Sequence, residues 1–307
     1  MPPLRIVFMG TPEFAVPSLE ILLANGYAVA AAVTAPDKPK GRGLKPSPSP
    51  VKECALRHGI PVLQPLKLAS EEFAHQLLAC KANLQVVVAF RMLPESVWKM
   101  PELGTFNLHA SLLPDYRGAA PINRAIINGE QVTGVTTFFL QHAIDTGHII
   151  FQETEPISPE DDAGTLYNRL KEKGARLVLR TVRAIESGKV TQTPQPEPHP
   201  GKEAPKIFKK DCRIGWNSPT ERVCNLVRGL SPYPAAWTTW GQQTYKIFKV
   251  RKVGEGRAAE PGTVDSDQKT YLHVRAGDGW ISVLELQPEG KKRMTVGEFF
   301  RGNRISL

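Results

Sequence analysis

Apolar residues in the first half of the chain alternate between short runs and stretches of helical spacing. Leu4–Gly10 has the length of one buried strand, Phe14–Gly26 repeats apolar residues every three or four positions and stops at a glycine, and Val29–Pro36 is a second run. A strand–helix–strand unit is therefore expected to open the protein. The alternation continues with a helix near Pro50–His58, a short strand at Pro61–Gln64, a helix over Ser70–Lys81, the run Leu84–Phe90 and a strand at Gly104–Ala110. Strands joined in this way run parallel and carry helices on both faces, so the pattern predicts an α/β fold on a mostly parallel sheet.

A helix from about Ala120 to Gly129, strands at Gly134–Leu140 and His148–Ile157, and the long amphipathic helix Gly164–Gly188 complete this half. Prolines at 194, 196, 198, 200 and 205 then favour an extended segment, because each fixes φ and lacks an N–H. The expected division is a first domain over 1–189, a proline-rich linker over 190–207 and a second domain over 208–307. Beyond the linker, a helix at Ser218–Gly229 precedes strand-like runs Ala236–Trp240, Thr244–Val253, Thr270–Ala276 and Gly279–Leu286. Several short strands in so short a span predict a small β-barrel of the oligonucleotide-binding type.

Charge sharpens this division. Residues 201–307 hold 19 basic and 11 acidic side chains, 19 − 11 = +8 of the total +9, leaving +1 for residues 1–200. Lys and Arg at that density gain affinity for phosphates by displacing counterions, so the second domain is expected to face a polyanion, the alternative on charge alone being a merely solvated basic surface. A hydrophobic content of 41% excludes a disordered or fibrous chain. The cysteines Cys54, Cys80, Cys212 and Cys224 lack C-x-x-C spacing, so neither a disulfide framework nor a metal site is expected. No apolar run reaches the length of a membrane span or a signal segment, which predicts a cytoplasmic protein without a membrane partner.

The chemistry concentrates at Asn107-Leu-His109 and Ile144-Asp145-Thr-Gly147, with the Pro/Gly-rich stretch Ser111–Pro121 between them. Asn107 and His109 are two apart in an extended segment and so share a face at the strand's C-terminal end, which is the ligand crevice of a doubly wound sheet. Asp145 follows the next long strand and reaches toward the same edge. An amide donor, an imidazole and a carboxylate suit the stabilisation of a tetrahedral oxyanion while a proton leaves an attacking amine. Competing readings fare worse. Asp145-Thr-Gly147 matches an aspartic-protease triplet, but no second such carboxylate is present; Ser111 lacks a G-x-S-x-G elbow; Gly254–Ala259 runs into Pro261 rather than a helix; and no Walker A sequence occurs.

Over nearly its whole length the chain resembles the folate-dependent formyltransferases. The resemblance rests on Ile6-Val-Phe-Met-Gly10-Thr-Pro-Glu-Phe14, Pro36-Asp-Lys-Pro-Lys-Gly41-Arg42-Gly43, Pro48-Ser-Pro-Val-Lys52, Ser111-Leu-Leu-Pro114 with Arg117-Gly-Ala-Ala-Pro121, Ile144-Asp145-Thr-Gly147, Leu230–Trp237 and Gly302-Asn303-Arg304. It implies a Rossmann-like catalytic domain followed by a small OB-like β-barrel. It also implies transfer of a formyl group from 10-formyltetrahydrofolate to the α-amino group of methionine esterified to initiator tRNA, in translation initiation, with no metal.

By position, Asn107, His109 and Asp145 match the family's catalytic three. The folate donor is expected at Phe90, Arg91, Met92 and Leu93, where relatives commonly carry Tyr-Gly in place of Phe90-Arg91, and at Ser111, Leu112, Leu113 and Pro114. The basic loop with Lys38, Lys40, Arg42 and Lys45 is expected to reach the acceptor stem as a mobile finger, and Lys209 and Lys210 to hold the tRNA backbone. Trp216, Tyr233 and Trp237 are available for base stacking, although aromatics flanked by Pro and Gly in small barrels more often fill the core. Two other functions are compatible with parts of this pattern: a formyltransferase acting on an amino-sugar nucleotide, which does not need the basic loop, and an RNA-binding protein without catalysis.

Overall fold

In the computed structural model, residues 3–40, 45–142, 145–254 and 257–305 are described. Arg42, expected to contact tRNA, lies outside them. Contacts between Cα atoms divide the chain into two units. The first comprises residues 1–118, 134–155 and 167–203, and the second comprises 119–133, 156–166 and 204–307.

The strand–helix–strand opening is β1 (Arg5–Gly10), α1 (Val16–Ala24) and β2 (Ala28–Val33). Where the sequence pattern predicted a loop, β3 (Lys38–Lys40) and β4 (Lys45–Ser47) pair antiparallel as a hairpin. Next come α2 (Pro50–Arg57), β5 (Val62–Leu63), α3 (Glu71–Ala79), β6 (Leu84–Val88), α4 (Glu95–Trp98) and β7 (Thr105–His109). Ser49 and Ser70 start α2 and α3 by accepting the backbone N–H groups of Lys52 and Phe73, which would otherwise lack partners in the first turn. After α5 (Pro121–Ile127), β8 (Val132–Phe139) and β9 (Ile149–Pro156), the 24-residue α6 (Ala163–Glu186) follows.

Seven strands form one sheet in the order β5-β2-β1-β6-β7-β8-β9. Pairs from β5 through β7 are parallel, and β8 turns antiparallel against β7. Strands buried on both faces are near-continuous apolar runs, and β6 is buried at all five positions. Val7, Met9, Val33 and Val87 pack on one side against Phe73, Leu77 and Val97 of α3 and α4. Gly174 of α6 lies so close to β7 that an added Cβ would stand 2.6 Å from Leu108 Cδ2. That contact holds the helix tightly over the strand bearing Asn107 and His109.

The second unit contains α7 (Thr220–Leu230), β10 (Ala236–Trp240), β11 (Gln243–Val253), β12 (Val264–Ser266), β13 (Leu272–Arg275), β14 (Trp280–Pro288), β15 (Met294–Thr295) and α8 (Val296–Phe300). The sheet order β10-β11-β14-β13-β12, with β15 beside β14, makes a curled antiparallel half-barrel. Register shifts at Ile247–Val250 disturb the β11–β14 ladder, and such bulges increase local twist and bend. Val223, Val227 and Leu230 of α7 and Phe299 and Phe300 of α8 join Tyr245, Ile247, Leu272 and Ile281 in one core. Among the described residues no helix is long and apolar enough to cross a membrane.

Candidate active site

Strands β1, β2, β6 and β7 all end at one edge of the parallel sheet, and the strand order reverses direction between β1 and β6. Ligands of doubly wound sheets bind outside such a reversal. The last three residues of β7 carry Asn107 and His109 to this edge on a common face. His109 is only 7% exposed. Asn107 is half-buried, and its side-chain amide has no hydrogen-bond partner among the described residues.

The imidazole is held between two acceptors. His109 Nε2 lies 2.8 Å from the Tyr116 carbonyl oxygen, and Nδ1 lies 3.8 Å from Asp145 Oδ2. A carbonyl only accepts, so Nε2 carries a hydrogen. The Gly118 N–H donates to the same Asp145 oxygen at 3.0 Å. Asp145 adopts φ 54°, a left-handed conformation that costs a non-glycine residue about 1–2 kcal/mol and that Asp is among the few to visit. Gly147 is required by close approach, since a Cβ there would stand 1.6 Å from the Phe139 carbonyl oxygen. The turn therefore lies directly against the end of β8.

The loop joining these groups satisfies its own polar atoms. Ser111 Oγ donates to the Asp115 carbonyl at 2.6 Å, and Thr136 Oγ1 donates to the Ser111 carbonyl at 2.6 Å and accepts from the Leu113 N–H at 3.2 Å. Gln152 Nε2 donates to the Leu113 carbonyl at 2.8 Å. Residues 191–203 run back over this loop. His199 and Lys202 pair with Asp115, the Tyr116 N–H donates to the Lys202 carbonyl at 2.5 Å, and Arg117 donates to Gln195 Oε1 at 2.7 and 3.1 Å. Three groups absent from the sequence expectations, the Tyr116 carbonyl, the Gly118 N–H and Gln195, thus surround the expected ones. Arg117-Gly118 stood in a motif already singled out, whereas Gln195 gave no signal among its prolines.

The expected donor-binding residues fall into different environments. Ser111, Leu113 and Leu93 are buried, and Leu112, Pro114 and Phe90 are half-buried. Leu93 and Phe90 pack with the core beneath the sheet edge, whereas Met92 is 75% exposed. Arg91 donates to the carbonyls of Pro65 and Leu66 while its Nε is buried without a partner among the described residues, and burial pushes its pKa down.

Of the expected tRNA-binding residues in the first unit, Lys38 is exposed, and the backbones of Lys40 and Lys45 face each other across the hairpin. The hairpin's root is tied down. Lys52 Nζ meets Asp37 Oδ2 at 2.6 Å, Gln64 Nε2 donates to Asp37 Oδ1 at 2.8 Å, and Thr34 and Ser49 share a 2.7 Å hydrogen bond. In the second unit Lys209 and Lys210 are exposed. Trp216 and Trp237 are half-buried, donating from Nε1 to Thr238 Oγ1 and the Lys209 carbonyl, while Tyr233 is 80% exposed.

Among the described residues, one group has metal-ligand character: Glu20, Cys54 and His58, whose ligand atoms lie within 4.8 Å of one another. Arg57 already pairs with Glu20 at 3.2 Å, and burial pushes the Cys54 thiol up. Both oppose the thiolate and free carboxylate that a cation needs.

The family model "Formyl transferase" matches residues 4–182, and "Formyl transferase, C-terminal domain" matches residues 206–304. A methionyl-tRNA formyltransferase from Bacteroides fragilis is 53% identical, with 99% of this chain and 96% of the relative covered. One from Bacteroides thetaiotaomicron is also 53% identical, covering 99% and 97%. Among solved structures, HypX from Aquifex aeolicus in complex with tetrahydrofolic acid shares the fold at a TM-score of 0.66 and 19% identity, covering 99% of this chain and 48% of that one.

Proposed function

The chain belongs to the formyl transferase family, and from that membership we propose that it transfers the formyl group of 10-formyltetrahydrofolate to the α-amino group of methionyl initiator tRNA in the cytoplasm. The observation that carries this reading is the convergence of Asn107, His109 and Asp145 at one sheet edge in a chain 53% identical to methionyl-tRNA formyltransferases. An amino-sugar acceptor is the weaker reading, because relatives of that kind are similar in fold at 19–20% identity.

An α-amino group has a pKa of about 7.7–8.0 and is partly neutral near pH 7, so the reaction asks for positioning more than for a strong base. The Asn107 amide donates to the formyl oxygen and stabilises the charge that grows there. His109 Nε2 donates to the Tyr116 carbonyl, and its Nδ1 faces the Asp145 carboxylate. A direct hydrogen bond is shorter than the 3.8 Å between Nδ1 and Asp145 Oδ2. An amine or hydroxyl about 2.8 Å from each would bridge them, giving the departing proton a path. The amine nitrogen bonds to the formyl carbon as the carbon–folate nitrogen bond breaks. The amine loses a proton, and the folate nitrogen ends with one.

The donor is assigned to the edge formed by Phe90–Leu93 and Ser111–Pro114. Lys38, Lys40, Arg42 and Lys45 are assigned to the acceptor stem, and Lys209 and Lys210 to the tRNA backbone. Matched spans of 4–182 and 206–304 support a catalytic domain over 1–189, a linker over 190–207 and a tRNA-binding domain over 208–307. The test is Asp145→Ala, assayed for formylation and, separately, for tRNA binding. The expected result is a loss of turnover of about 10²–10⁴-fold, the range of general acid–base assistance, with binding retained. Equal turnover would remove Asp145 from the mechanism.

A further inference from the structure

The proline-rich segment is extended, as its composition dictates, yet it is stitched along the first unit at five successive points. Gln192 Oε1 lies 3.2 Å from His148 Nδ1, and Thr193 exchanges both backbone hydrogen bonds with Ile149 at 2.8 and 2.9 Å. Gln195 then makes four contacts: its Oε1 accepts twice from Arg117, and its Nε2 donates to the carbonyls of Asp145 at 2.9 Å and Gly147 at 2.7 Å. Further along, His199 meets Asp115 at 2.8 Å, and the Lys202 carbonyl accepts from Tyr116.

These contacts bear on both partners of the imidazole. Tyr116, whose carbonyl holds His109 Nε2, is fastened through its own N–H to the strap, and Asp145, which faces Nδ1, has its carbonyl fastened by Gln195. Asp145 sits at a φ that the chain does not favour by itself, and such conformations persist where their surroundings over-determine them. One amide side chain spanning Arg117 and the two carbonyls of the Asp145–Gly147 turn is such a restraint.

We propose that Gln195 is a positioning residue for Asp145, and that the strap at 191–203 is part of the active site rather than a plain connector. This rests on the catalytic reading of Asn107, His109 and Asp145. Gln195→Glu separates the two halves of the role: it keeps an acceptor for Arg117, so the strap stays docked, and replaces the donor to the two carbonyls by an oxygen that repels them. Gln195→Ala removes both.

The variants are compared with the wild-type chain by steady-state formylation over a pH range and by amide hydrogen exchange at Gly118, whose N–H reports the Asp145 carboxylate directly. For Gln195→Glu we expect kcat to fall about ten- to a hundredfold, the scale of a misplacement of roughly 1 Å. The KM for each substrate should stay within twofold, the pH profile of kcat should change, and Gly118 exchange should accelerate at least tenfold. Wild-type kcat, pH profile and Gly118 exchange in that variant would overturn the proposal. An inactive wild-type chain would instead overturn the catalytic reading, and Gly118 exchange would still decide whether Gln195 holds the turn.

Discussion

At Asp115, burial pushes the carboxyl pKa up, but hydrogen bonds from the His199 backbone and ring and the charge of Lys202 outweigh it, and the net shift is downward. Hydrogen bonds from Lys52 and then Gln64 lower Asp37 at the hairpin root; at Glu155, Lys173 and Arg169 overcome the cost of burial. A carboxylate whose folded pKa lies below its unfolded value adds stability that is fully present above the unfolded value and is lost as pH falls through the folded one. These carboxylates are therefore expected to make the urea midpoint fall below about pH 4, the ordinary carboxylate range. Urea titrations across that range check this, and a midpoint that rises on acidification contradicts it. The contrast between Leu93 and Met92 belongs to the same scale. Both are apolar and adjacent, yet one is in the core and the other faces solvent, because the chain leaving β6 returns into α4 through Leu93.

At the scale of elements, the segment expected to be a mobile basic finger includes the paired strands β3 and β4, and Lys52 and Gln64 hold Asp37 at their base. Arg42→Ala is expected to raise the KM for charged initiator tRNA roughly fivefold or more, and to weaken its salt dependence, while leaving the KM for folate unchanged. Kinetics at two salt concentrations measure this, and an unchanged dependence on tRNA contradicts the finger role. Apart from the four-residue α4, the strands and helices of the parallel sheet were legible from their apolar periods. Asn107 and His109 were legible as a pair for the same reason, since strand alternation fixes their common face. The hairpin was not: Lys38-Pro-Lys40 and Lys45-Pro-Ser47 have no apolar alternation, and their pairing is a tertiary matter. Short β12, β15 and α8 escaped for want of length, although Thr295 and Glu298 close a capping box at the start of α8. Gln195 was invisible because its partners are backbone carbonyls and Arg117, 78 residues away.

On the scale of the whole molecule, chemistry and charge are divided between the two ends of the sequence. The proposed catalytic constellation belongs to the first unit, and +8 of the +9 net charge lies in residues 201–307. That division suits an enzyme whose small, neutral reacting centre must meet a large polyanion, since counterion release supplies affinity without burdening the reacting groups. An amino-sugar nucleotide offers few phosphates and has no use for such a surface. The most direct measurement is an acceptor competition, in which the protein receives limiting 10-formyltetrahydrofolate with methionyl initiator tRNA and an amino-sugar nucleotide at equal concentration. The formyl group is expected almost entirely on the methionine nitrogen; its appearance on the sugar amine, or on neither acceptor, would contradict the proposed function.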